Sequence, residues 1–176
     1  MDIADPSDMQ WTERLGQAEP TGRDRREAER LLAYWEGKLQ ELGGGVTLAA
    51  LDLARIDSRE WSNRFLITID SVIERSSLMM YGPIFAQLLQ LPAQPRQGLS
   101  MLRQLPPRYW DVFTRGCTEA QKQMAPAHLE GEVERIDGRI EQYRAIFIPV
   151  GVRPGALTCF AFGAFNNRVI DPPPAP

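Results

Sequence analysis

The chain is short of the residues that most catalytic and metal chemistry needs. It has one histidine, His128, and two cysteines, Cys117 and Cys159, among 176 residues. Zinc usually asks for three or four clustered Cys, His or carboxylate ligands, which one histidine and two distant cysteines do not supply. Two cysteines are also too few for a disulfide framework, and both read as small buried hydrophobes. A Ser-His-Asp or Cys-His arrangement would have to use His128. No nucleophile-elbow glycine pattern surrounds Ser58, Ser71, Ser76, Ser77 or Ser100. Gly43-Gly44-Gly45 lacks the Lys-Ser/Thr that follows in a phosphate-binding loop. The expectation is a protein that is not an enzyme and holds no metal.

Other absences narrow the class further. With 20 basic and 23 acidic residues the net charge is −3, so no basic field is present to attract nucleic acid. The local cluster Arg23–Arg30 reads as a solvated helix face. No apolar run approaches the length of a membrane span, and the acidic N-terminus lacks a secretion signal. A cytoplasmic protein with no membrane contact is expected. The 43% hydrophobic and 24% charged content is ordinary for a globular domain.

Residues 1–20 are mixed and polar, punctuated by Pro6 and Pro20, and are expected to fray or lie along the surface with Trp11 as an anchor. The first strong helix follows within residues 21–45. From Gly22 to Leu42, Ala28, Leu31, Leu32, Trp35, Leu39 and Leu42 recur at three- and four-residue steps and form one apolar stripe. Thr21 suits its start, and the three glycines end it. The stripe packs on its own domain or on a partner. The second alternative makes Leu31, Leu32, Trp35 and Leu39 a dimer or partner seam.

Residues 46–170 read as one α+β unit. Val46–Trp61 is a loop with a helical turn near Asp57–Trp61. Arg64–Asp70 and Ser76–Tyr81 read as strands, and Pro83–Leu91 as a short buried helix with proline near its first position. Pro92–Gln97 is a loop, and Gly98–Leu105 holds a helical turn. Pro106–Met124 is a helix whose core face is Tyr109, Trp110, Phe113, Cys117, Ala120 and Met124. Three strands then form a meander around Asp137-Gly138 and a turn from Val152 to Gly155. Residues 171–176 are a proline-rich tail, expected to be disordered.

That order resembles a PAS domain, whose five-stranded antiparallel sheet curls around short helices and a ligand-sized cavity. The segments LLAYWEGKL and FTRGCTEAQKQMAP, the pattern EG–DGR–YR–F–PV between Glu130 and Val150, and FGAFNNR near the end are similar to a PAS-like family common in alphaproteobacterial proteins. The resemblance covers Glu29–Arg168. It implies a signalling or ligand-sensing module. Together with the helix stripe, it leads us to expect a sensory or regulatory domain in signal transduction that binds a small ligand, a protein partner or both, a homodimer included. The alternative is a pure interaction or dimerisation module with a filled core and no ligand. The flavin motif of photosensory PAS domains, Asn-Cys-Arg-Phe, is not matched by Arg115-Gly116-Cys117-Thr118. His128 lies at the entry to the meander and not on the helix that carries the ligand in haem-binding PAS domains. Neither cofactor is expected.

With Asp137 and Gly138 as a two-residue loop, Ile136 faces Arg139, Val133 faces Gln142, and Leu129 faces Ile146. One sheet face then carries Leu129, Val133, Ile140, Ile146 and Ile148 with Gln142 and Arg144 among them. The other carries Glu130, Glu132, Glu134, Glu141 and Tyr143 and wants water. Gln142 and Arg144 would then sit in an apolar hollow, where Arg144 either holds a ligand carboxylate or phosphate or pairs with an internal carboxylate. Phe85, Trp110, Phe113, Phe160 and Phe162, with Met79 and Met124, complete the candidate lining. Whether these side chains line a cavity or fill it stays open.

Overall fold

The computed structural model describes residues 22–42, 46, 47, 49, 61–152 and 158–170. Helix α1 is Gly22–Leu42, and strand β1 is Arg64–Thr68. A 3-10 turn at Ile73–Arg75 leads to β2, Ser77–Tyr81. Helices α2, Pro83–Leu89, and α3, Met101–Gln104, follow. A second 3-10 turn, Pro107–Tyr109, runs into α4, Trp110–Gln123. The chain ends in β3, Ala127–Glu134, β4, Ile140–Gly151, and β5, Thr158–Ile170. The expected turn at Asp57–Trp61 (Trp61 itself excepted), the N-terminal segment and the C-terminal tail lie outside the described residues.

The five strands form one antiparallel sheet in the order β2-β1-β5-β4-β3. The last strand therefore sits at the centre, between β1 and β4. Alternate residues of β1 point to opposite faces: Phe65 and Ile67 join one core, and Leu66 joins the other. The inner face is covered by α2, α3 and α4 through Phe85, Leu89, Met101, Phe113 and Cys117. The outer face is covered by α1, with Leu31 and Trp35 packed alongside Ile146, Ile148, Phe162 and Ala164. Glycine is required where backbones come close. A Cβ at Gly116 would run into the Phe147 ring, and one at Gly163 into the Ile146 carbonyl and the Phe65 ring.

The β3–β4 hairpin differs from expectation by one residue. Asp137-Gly138 does mark the turn, but the loop is Ile136-Asp137-Gly138. The Arg135 N–H donates to the Arg139 carbonyl at 2.8 Å, the Gly138 N–H donates to the Arg135 carbonyl at 3.0 Å, and Gly138 takes φ +81°. This is a type I turn closed by a left-handed glycine. Pairing is consequently Glu134 with Ile140, Val133 with Glu141, and Leu129 with Ala145. The side chains of β4 swap faces relative to β3. Tyr143, Ala145 and Phe147 look toward the helices, and Ile146, Ile148 and Val150 look toward α1.

Other side chains also depart from expectation. Met124, assigned to a core face, is 61% exposed because it takes the left-handed position (φ 50°) that ends α4. Trp110 is 41% exposed at the first turn of α4, its indole N–H donating to the Leu105 carbonyl at 3.0 Å. Met79 is exposed on the edge strand, close to the bulge in its pairing with β1, and Ile84 lies on the outer side of α2.

Candidate functional site

The inner face has an aromatic part and a polar end. Phe65, Phe85, Phe113, Phe147, Phe165 and Tyr109 are all fully buried. Phe65 lies with its ring centroid 5.3 Å from Phe85, 5.4 Å from Phe113 and 5.2 Å from Phe147. Phe113 reaches Phe165 at 5.6 Å, and Phe165 reaches Tyr109 at 5.0 Å. These are contact separations for tilted and edge-to-face rings. Six elements thus bring their rings into one contiguous cluster between the helices and the sheet.

Glu141 forms the polar end. It sits on β4, 2% exposed, on the same face as Tyr143. Its Oε2 accepts from Arg108 Nε at 3.0 Å, the Tyr109 hydroxyl at 2.6 Å and Asn167 Nδ2 at 3.3 Å. Its Oε1 accepts from Arg108 Nη2 at 3.3 Å and Arg135 Nη1 at 3.0 Å. Arg108 therefore grips the carboxylate with both arms of its guanidinium. Burial by itself would push the Glu141 carboxyl up. The Arg108 and Tyr109 hydrogen bonds and the charges of Arg108 and Arg135 outweigh it and hold the group below the usual carboxylate range. Burial, then the bond to Glu141, raises the Tyr109 hydroxyl, so it stays protonated and donates. An ionised carboxylate with every lone-pair direction occupied joins elements together and has no free site for general-base work.

Among the described residues, two further groups on this face are held in their neutral forms. The Cys117 thiol is fully buried, and burial pushes it up to about 12, so it stays neutral at physiological pH. Burial also raises the Tyr143 hydroxyl, which accepts from Arg115 Nη2 at 3.3 Å.

The residues singled out from sequence are divided between places. Phe85 and Phe113 lie in the inner core, whereas Gln142, Arg144 and Phe162 lie on the α1 side and Phe160 packs partly buried against that outer core. Trp110 is at the surface. Arg144 pairs with Glu130 across the hairpin at 3.4 Å, and Gln142 accepts from Arg168 at 3.1 Å while donating to Glu132 at 3.1 Å. Leu31 and Trp35 are buried against their own sheet, Leu32 is partly buried, and the Leu39 side chain lies outside the described residues. His128 is exposed on the outer side of β3, opposite Ile146. Among the described residues no group of three His, Cys, Asp or Glu side chains is placed to hold a metal, and no helix is long and apolar enough to cross a membrane.

Sequence reasoning missed Glu141, Arg108 and Asn167. Glu141 was assigned to the wet face, and only a three-residue reading of the turn, with glycine third, would have turned it inward.

No protein-family model and no curated protein matches the chain. Among solved structures it is similar to the PAS domain of a protein from Colwellia psychrerythraea, with 14% identity, 68% of this chain and 98% of that one covered, and a TM-score of 0.45. It is also similar to the LOV protein of Rhodobacter sphaeroides, with 16% identity, 60% of each chain covered and a TM-score of 0.38. A fungal LOV domain photoreceptor gives 15% identity, 66% and 79% coverage, and a TM-score of 0.40. With its antiparallel sheet in the order β2-β1-β5-β4-β3 and its short helices on one face, the chain has a PAS-like α+β fold.

Proposed function

We propose that this chain is a PAS-like regulatory domain that works without catalysis, through contact with a protein partner or a second copy of itself. Its inner face is filled by its own side chains and does not wait for a cofactor. Two readings were open from the sequence, a ligand-sensing pocket and a filled interaction module. The packing of Phe65, Phe85, Phe113, Phe147 and Phe165, with ring centroids 5.2–6.0 Å apart, carries the second. The seven residues considered for a ligand supply no common lining, since the sheet itself separates Phe85 and Phe113 from Gln142, Arg144 and Phe162. A regulatory signal then has to travel by displacement of elements, and α1 on the outer face is the element placed to receive it.

Native mass spectrometry of the purified protein, set against its denatured mass, tests this directly. A bare chain, or a bare dimer, is the expected result. A stoichiometric small molecule lost on denaturation would overturn the filled-core reading and give the mass of its occupant.

A further inference from the structure

Around Glu141 the donors come from three separate places and the carboxylate from a fourth. Arg108 and Tyr109 belong to the 3-10 turn before α4, Arg135 to the β3–β4 turn, and Asn167 to β5. Each donor is also held by something other than Glu141. The Arg108 guanidinium lies over the Tyr109 ring at 5.1 Å. Arg135 Nε lies 3.6 Å from Asp137 Oδ2. Asn167 Nδ2 donates to the Tyr109 hydroxyl at 2.9 Å, and the Tyr109 ring is wedged between Phe165 at 5.0 Å and Tyr143 at 5.9 Å. The donor set is thus preorganised, and only the short stem of Glu141 ties its anion to the chain.

A two-armed arginine, a second arginine on the other oxygen, a phenol and an amide are the groups that recognise a free carboxylate. The geometry points to a carboxylate-binding site that the chain fills with its own Glu141, as an internal ligand. This deepens the filled-core reading above and rests on it: the place where a small acid would dock is occupied by covalent attachment, which makes the docking intramolecular. Once vacated, the site takes a small monocarboxylate of the size of formate. The Arg108 and Arg135 side chains, 15% and 25% exposed, leave it close to solvent.

The test is the variant Glu141→Gly, whose missing side chain leaves room for formate, with Glu141→Gln as a variant whose site stays filled. Thermal unfolding is followed in sodium formate and in sodium chloride at equal ionic strength. Formate is expected to raise the Tm of Glu141→Gly saturably, by about 5 °C or more beyond chloride. The wild type and Glu141→Gln should respond to the two salts alike. If Glu141→Gly is unfolded in chloride, formate should restore its near-ultraviolet circular dichroism. Equal responses to both salts, an equal formate gain in Glu141→Gln, or an unfolded Glu141→Gly that formate leaves unfolded would each overturn the internal-ligand inference. Those results do not touch native mass spectrometry of the wild type, so failure here and failure of the filled-core reading are separate outcomes.

Discussion

The two faces of this sheet are buried in different ways. The inner face is closed by rings that meet at tilted and edge-to-face angles, and its buried carboxylate, Glu141, is enclosed by two arginines, a tyrosine and an asparagine. The outer face is closed by α1 over Ile146, Ile148, Val150 and Phe162; its charges include Arg64, over the Phe162 ring at 6.0 Å, and, nearer the hairpin, Arg144, which meets Glu130. The outer face has rings too, with Trp61 against Phe162 at 5.6 Å, but more of its buried side chains are aliphatic. Dense ring packing depends on shape, whereas aliphatic packing depends mainly on area and adjusts to small changes. The inner face should therefore be the brittle one.

The largest effect is expected from Phe113→Ala. Phe113 touches Phe65, Phe85, Phe147 and Phe165, so its removal leaves a hole that four rings cannot close together. A loss of about 3–5 kcal/mol is expected from urea unfolding. Ile148→Val on the outer face should cost only about 0.5–1.5 kcal/mol. Comparable losses at the two positions would dissolve the contrast between faces.

Next comes Glu141→Gln, which keeps the shape and removes the charge. Two arginines then face a neutral amide, and a loss of about 2–4 kcal/mol at pH 7 is expected. The effect carries a sign in pH. Because the folded chain holds this carboxyl below its ordinary value, its stabilisation is complete above the unfolded carboxylate range, about pH 4.3, and disappears as pH falls through the folded value. The stability gap between wild type and Glu141→Gln should therefore narrow from pH 7 to pH 3. A gap that stays constant would mean that Glu141 acts by shape alone.

How much of this was legible follows the same division. Helix α1 and the strand pair could be read from periodicity and β-branched runs, and α4 from its apolar stripe. The orientation of β4 could not. From Ala145 to Val150 it is buried on both faces, so alternation of polar and apolar residues has nothing to mark. Orientation then hung on one turn, and a glycine in the left-handed region added one residue to the loop. That single residue moved Glu141 from water to the interior and Gln142 and Arg144 to the other side. Met124 was misplaced for a related reason, since a periodic stripe does not announce the residue that will leave the helix in a left-handed conformation.

Arg144→Ala should show how little the outer charges contribute. Its ion pair with Glu130 lies at 3.4 Å with the side chains 18% and 36% exposed, at the sheet edge. Pairs of this kind are typically worth about 0–1 kcal/mol, so the unfolding midpoint should move far less than for Glu141→Gln. A loss approaching that of Glu141→Gln would make the outer hairpin a second polar lock and erase the distinction.

The smallest effect is expected at Trp35, and it bears on how finely the outer face is fitted. Trp35 is 9% exposed on α1, packed in the outer core, and its indole N–H is buried with no hydrogen-bond partner among the described residues. An unpartnered buried donor carries a penalty of about 1–3 kcal/mol. Trp35→Phe removes that penalty and at the same time gives up the contacts of the larger ring. The two changes oppose each other, and a net shift within about 1 kcal/mol in either direction is expected from chemical denaturation. A tolerant, area-driven interface between α1 and the sheet would absorb the smaller ring by small adjustments of Leu31, Ile146 and Ile148. A loss above about 2 kcal/mol would mean instead that α1 is keyed to the sheet as tightly as the rings beneath it, and that the outer face is as demanding of shape as the inner one.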